Sequence, residues 1–98
     1  MKKILLLLLV LGITSSLFSQ YTNVTISTTN SPEEPSICIN PKNLNQVAAG
    51  ANITSAFYST NSGLTWSTFQ IASSSWGVWG DPCVTVDTTG AFYYFHLA

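Results

Sequence analysis

An all-β fold, assembled from a repeated antiparallel unit, is what this sequence predicts, and three observations predict it. Beyond the first twenty residues the apolar runs are short and bounded by Asn, Ser, Thr, Pro and Gly, with no helical stripe among them. Charged residues make up only 7% of the chain, so Ser, Thr and Asn do the solvating, a balance typical of exported β proteins rather than helical ones. Finally, Glu34-Pro35-Ser36-Ile37-Cys38-Ile39-Asn40 and Asp81-Pro82-Cys83-Val84-Thr85-Val86-Asp87 share one pattern, acid-Pro-x-aliphatic-x-aliphatic-Asx, at an offset of 47 residues.

The chain opens on Met1-Lys2-Lys3, an apolar core from Ile4 to Ile13, and a small polar exit through Ser19-Gln20. Basic start, short apolar core and small exit residues predict a secretory signal peptide over residues 1–19, removed near Ser19. The apolar core is too short for a membrane span, which needs about 20 residues. The expected location is therefore extracellular or at the cell surface, with no span in the mature chain. Without the leader, Lys42 faces Glu33, Glu34, Asp81 and Asp87, a net charge of −3, and the chain holds no arginine. Nothing in it would neutralise phosphates, which disfavours nucleic acid as a partner.

Element by element, Tyr21 to Ser27 alternates and predicts a strand, followed by a Ser-, Asn- and Pro-rich linker that completes an N-terminal segment over 20–33. Ser36 to Ile39 is a short strand stopped by Asn40-Pro41, because the residue before proline is pushed out of the helical region. After a turn over 42–46, Val47-Ala48-Ala49-Gly50-Ala51 returns as a strand of small residues, which predicts close approach of a neighbouring sheet. Residues 52–55 turn again, 56–59 and 66–71 form the arms of a hairpin, and 73–80 make a loop carrying Trp76 and Trp79. Val84 to Asp87, the turn Thr88-Thr89-Gly90, and Ala91 to Leu97 form a last hairpin.

A repeat near 40 to 50 residues with about four strands per unit is the signature of a β-propeller blade. On this reading 34–80 is one blade and 81–98 half of the next, so the chain reads as the N-terminal piece of a longer propeller. A small self-contained sandwich is the competing reading, and it would leave the aromatic strand 92–97 at an edge.

The hairpin centre, Ser59-Thr60-Asn61-Ser62-Gly63-Leu64-Thr65-Trp66, is turn chemistry. Asn61 is expected to accept a hydrogen bond from the backbone two residues on. Gly63 supplies a positive φ, and Trp66 packs the returning arm. This stretch resembles the Asp-box of sialidase-like β-propellers, Ser/Thr-x-Asp-x-Gly-x-Thr-Trp. Ser59, Gly63, Thr65 and Trp66 match, and Asn61 stands where the family has Asp. The resemblance implies a structural role for these five residues, on the propeller face opposite the active site, with Trp66 packing between blades.

Sialidases hold the substrate carboxylate with three arginines and use a Tyr–Glu pair and an Asp for chemistry. This chain offers no arginine for that role. The resemblance therefore implies a secreted, glycan-directed propeller module, either a glycoside hydrolase or a sugar-binding relative. The alternative is a non-catalytic extracellular scaffold, binding protein or adhesin. Whether the parent is an exo-sialidase-like enzyme stays open, and the chain alone is expected to show no glycosidase activity. Glycans or an extracellular protein are the expected partners.

Four candidate ligand-face residues follow. Glu34 and Asp81 open equivalent strands, where carboxylates could work as acid and base or simply cap a turn before proline. Trp76 and Trp79 could stack on a sugar or pack between blades. Cys38 and Cys83 are permitted a disulfide after export, with free strand cysteines the alternative. His96 stands alone without a second soft ligand, so no metal and no other cofactor is expected.

Overall fold

The computed structural model describes residues 21–98, so the predicted leader lies outside the described residues. Six strands form: β1 (Ser36–Ile39), β2 (Val47–Ala51), β3 (Ser55–Ser59), β4 (Ser67–Gln70), β5 (Cys83–Val86) and β6 (Phe92–Phe95). No helix occurs among the described residues. The first four strands make an antiparallel meander in the order β1-β2-β3-β4, and β5-β6 make a separate antiparallel pair. The fold is all-β, as the short apolar runs predict.

Register divides the four-stranded sheet into two faces. Ile37 pairs with Ala49 and Ala49 with Phe57, so these side chains share one face, together with Ile39, Val47, Ala51, Ser55 and Ser59. Ala49, Ala51 and Phe57 form a buried cluster there, with Ile26 and Trp66 packed against it. Ser36, Cys38, Ala48, Gly50, Ala56 and Tyr58 occupy the other face, and on that face β5-β6 is stacked. Val84 donates its backbone N–H to Ser36 Oγ at 2.9 Å. The Tyr58 and Phe92 rings meet edge to face with centroids 5.9 Å apart. Tyr94 donates its hydroxyl to the Ser55 carbonyl at 3.3 Å.

The small residues of β2 are explained by that stacking. A Cβ on Gly50 would stand 2.5 Å from Tyr94 Cε2 and 3.0 Å from Pro82 Cβ. The side chains of the second sheet close onto the first at a point where only glycine leaves room.

Residues 21–27 do not form the predicted strand. Tyr21 is 87% exposed, and only Ile26 of the three apolar residues docks on the core cluster. One anchored side chain does not offset the entropy of ordering a ladder. β4 begins at Ser67 rather than Trp66, because Thr65 N–H and the Trp66 indole are committed to the turn. Cys38 and Cys83 are both free. Strand alternation aims Cys38 between the sheets, beside Ser36, whereas Cys83 lies on the outer face opposite the buried Val84. Their side chains thus leave from different layers.

Candidate functional site

Register places the chain's features at two ends of the strands. At one end lie the starts of β1, β3 and β5 with the end of β2, and here Glu34, Asn52 and Asp81 come together. At the other end lie the β1–β2 turn, the β3–β4 hairpin and the β5–β6 turn.

Glu34 and Asp81 hold the same unusual backbone conformation, φ 49° in each, immediately before Pro35 and Pro82. A non-glycine residue in the left-handed region costs about 1–2 kcal/mol and persists only where its surroundings impose it. Asn52 imposes it here. Its N–H donates to the Glu33 carbonyl at 2.9 Å, its Nδ2 donates to Glu34 Oε2, and its Oδ1 accepts the Asp81 N–H at 2.7 Å. Gly80, at φ 98°, lies so close that a Cβ would meet Asn52 Oδ1 at 2.4 Å. One residue, Asn52, therefore clamps the two equivalent acid-proline corners, a role that its place in the 52–55 turn does not by itself announce. Its visible signal is its place directly after β2, between two acid-proline motifs that the repeat makes equivalent.

The Asp81 carboxylate makes no hydrogen bond among the described residues and is exposed. Beside Asn52 an open depression of about 460 Å³ is lined by Asn30, Ser31, Glu33 and residues 52–55. No group of three or more metal-ligating side chains gathers among the described residues.

The tryptophan loop reaches the same end of the strands. Trp79 N–H donates to the Leu97 carbonyl at 3.0 Å and Leu97 N–H to the Gly80 carbonyl at 2.9 Å, tying the loop to the segment after β6. Trp79 Nε1 donates to the Trp76 carbonyl at 3.1 Å. Gly77, at φ 77°, lies beneath the indole, where a Cβ would come within 3.2 Å of Trp79 Nε1. Trp76 is 75% exposed and Trp79 69%. Trp79 thus presents its ring to solvent with its own N–H already satisfied.

At the opposite end the β3–β4 hairpin is closed by side chains. Ser59, 1% exposed, accepts the Gly63 N–H at 2.9 Å and donates to Asn61 Oδ1 at 3.0 Å. Asn61 Oδ1 accepts the Thr65 N–H at 2.9 Å, and its Nδ2 donates to Thr65 Oγ1 at 2.9 Å. The Trp66 indole donates to the Gly63 carbonyl at 2.9 Å. Asn61 caps the turn, but four residues on rather than two, since Ser59 already takes the Gly63 N–H. Trp66 lies over the Ala49–Phe57 cluster, on the face turned away from β5-β6. Ser62 binds Asn45 through both its N–H, at 2.9 Å, and its hydroxyl, at 2.8 Å, which fixes this hairpin to the β1–β2 turn.

Asp87 closes the β5–β6 turn at this same end. Its Oδ1 accepts N–H groups of Thr89 at 2.8 Å, Gly90 at 3.0 Å and Ala91 at 3.0 Å, and Oδ2 accepts the Tyr93 hydroxyl at 2.8 Å. The Thr89 hydroxyl, then Tyr93 and the Ala91 amide, hold its carboxyl well below the usual carboxylate range. The same bond to Asp87 pushes the Tyr93 phenol up, and burial pushes Tyr94 up.

The structure thus brings Glu34 and Asp81 together, with Trp79 at the same end of the sheets, and sets the Ser59–Trp66 hairpin at the far end. No protein-family model, curated protein or solved structure matches the chain. His96 Nδ1 lies 2.7 Å from the Leu97 carbonyl, and its ring stands 6.3 Å from that of Tyr94, centroid to centroid. No helix of the described residues is long and apolar enough to cross a membrane.

Proposed function

We propose that the chain is a secreted, glycan-directed module of sialidase-like β-propeller type, with 34–80 as one blade and 81–98 opening the next. The observation that carries the ligand side of this reading is Trp79. A largely exposed indole is held in one orientation by its own N–H, by Gly77 below it and by the Leu97 pairing. Holding an aromatic face in place before binding lowers the entropy cost of stacking a sugar ring on it. The free Asp81 carboxylate and the residues 52–55 depression supply acceptors and donors near that end of the sheets.

Two further features support the architectural side. The Ser59–Trp66 hairpin uses every matching residue of the Asp-box pattern as a turn fastener, and it lies at the end opposite the candidate ligand face. The absence of arginine favours binding of neutral sugars over grip on a carboxylated one, where bidentate guanidinium contacts are the usual means. On this reading Glu34 and Asp81 shape the corner and offer acceptors rather than perform hydrolysis.

Tryptophan fluorescence and NMR titrations with neutral oligosaccharides, and with a sialoside as contrast, test this. Saturable binding of a neutral sugar, weakened at least tenfold in Trp79→Ala and largely kept in Trp79→Tyr, is the expected result. No response to any neutral sugar, or equal affinity in Trp79→Ala, would remove the glycan reading.

A further inference from the structure

We infer that the depression between residues 30–33 and 52–55 is a subsite for a neutral sugar ring, and that the Ser55 hydroxyl is the contact that fixes the ring there. The inference rests on the glycan reading above and deepens it, because it names a second contact surface and the side chain that selects for the sugar's hydroxyl groups.

Ser55 and Ser59 stand on the same face of β3, at its two ends, and both are buried, 7% and 1% exposed. Ser59 commits its hydroxyl to Gly63 and Asn61. The Ser55 hydroxyl makes no hydrogen bond among the described residues, although its carbonyl accepts one from Tyr94. A buried hydroxyl without a partner is destabilising and rare. No fully enclosed side-chain N or O atom among the described residues lacks a partner. Ser55 Oγ therefore keeps an opening to solvent, and the depression that Ser55 lines is that opening.

Three more side chains of the depression are uncommitted. Asn30, Ser31 and the Glu33 carboxylate make no hydrogen bond among the described residues. The other polar side chains there are taken, Asn52 by Glu34 and Asp81, and Thr54 by Gln70. Ile53, 57% exposed, adds apolar surface to the lining. Two hydroxyls, a carboxamide and a carboxylate beside an exposed isoleucine suit a ligand that carries hydroxyl groups on a carbon frame, which is the chemistry of a sugar ring. The volume of about 460 Å³ falls in the usual range of small-ligand pockets, about 300–1,000 Å³. No basic side chain lines the depression, and the Glu33 carboxylate repels an anionic sugar.

The contact is preformed. Ser55 is paired on both sides, with Ala51 on β2 and Gln70 on β4, and the Asn52 N–H ties the 52–55 wall to the Glu33 carbonyl at 2.9 Å. A polar group held on a central strand keeps its position better than one on a loop. Asn52 also joins the depression to the tryptophan loop, since its Oδ1 stands 2.4 Å from where a Cβ of Gly80 would lie, directly after Trp79. An oligosaccharide with one ring in the depression thus reaches the Trp79 loop across Asn52.

Amide NMR titrations of the isotope-labelled protein test this, with neutral trisaccharides of glucose, galactose or mannose and with a methyl sialoside as contrast. At least one neutral sugar should shift the amides of Ser31, Glu33 and residues 53–55 in a saturable way, and the sialoside should not. Ser55→Ala should weaken that sugar about fivefold, the usual worth of one neutral hydrogen bond. Its urea midpoint should stay level or rise, because the hydroxyl it removes has no partner to lose. A hydroxyl with a purely structural role would lower the midpoint instead. Four results would overturn the subsite and leave the Trp79 reading standing: neutral-sugar binding that Trp79→Ala removes while the 30–33 and 52–55 amides stay still, equal affinity in Ser55→Ala, a lowered midpoint, or an equal response to the sialoside. No response to any neutral sugar would overturn both.

Discussion

Asn40 and Asp87 occupy equivalent positions at the ends of β1 and β5, and each closes a turn through its side-chain oxygen. Asn40 Oδ1 accepts the N–H of Lys42 at 2.9 Å, and Asp87 Oδ1 that of Thr89 at 2.8 Å, two residues on in both cases. The difference lies in what surrounds them. Asn40 is 4% exposed and reaches across the inter-sheet contact, its Nδ2 donating to Gln46 Oε1 at 2.7 Å and to the Gly90 carbonyl at 3.4 Å. Asp87 turns its carboxylate toward its own turn and the exposed Tyr93. The neutral amide stands where the units meet and the charge where they do not. A buried carboxylate would lose its hydration and could not donate to Gln46 or Gly90.

Exchanging the two chemistries breaks the comparison most severely. Asn40→Asp should cost about 3 kcal/mol, since it places a charge against two acceptors in a buried position. Its deficit should shrink as acid protonates the new carboxyl, so urea midpoints measured against pH would read both effects. Crowding the same contact should cost less. Gly50→Ala pushes a methyl into the Tyr94 ring and should destabilise by about 2 kcal/mol, with the tyrosine ring signals shifted by NMR.

Away from the contact, effects should fall further. Asn61→Ala removes the bonds to Thr65 and should cost about 1 kcal/mol, whereas Asn61→Asp should be close to neutral, as denaturant midpoints would show. Asp87→Asn should act mainly on the pH dependence. The folded carboxyl titrates below its ordinary 3.8, so its contribution is fully present above that value and is lost as pH falls through the folded range. The variant should flatten the acid limb of the stability curve. Tyr93, raised above its ordinary 10.0, contributes below that value and is lost as pH rises through its folded range, so Tyr93→Phe should flatten part of the alkaline limb.

What the sequence made legible follows from how local each feature is. β1, β2, β3, β5 and β6 could be placed because each is an apolar run between turn residues, and the mostly polar β4 because it is the returning arm of the Ser59–Trp66 turn. The repeat could be seen because acid, proline and Asx sit in one short stretch. The smallness of Val47–Ala51 announced a close neighbour, and Gly50 against Tyr94 is that neighbour. The 21–27 segment misled because alternation shows what could pair, while pairing itself needs an available edge and enough buried surface. Asn52 stayed hidden for the opposite reason. Its partners are Glu33, Glu34 and Asp81, and only the stacking of the sheets brings the last of these to it. For the cysteines, a pair count shows that a bond is permitted, while the layer each side chain leaves from is set by strand alternation and sheet stacking together.

The central claim is that the second unit packs on the first through its Val84–Tyr94 face. Nuclear Overhauser contacts between the aromatic side chains of β6 and the first sheet test it most directly. The account predicts cross-peaks from the Tyr94 ring to Gly50 Hα and from the Phe92 ring to Tyr58, with none from Tyr93 or Phe95 to the first sheet. A one-residue slip in a strand sends every side chain to the other face. Cross-peaks from Tyr93 or Phe95 to Ala48 and Gly50, in place of those from Phe92 and Tyr94, would contradict it.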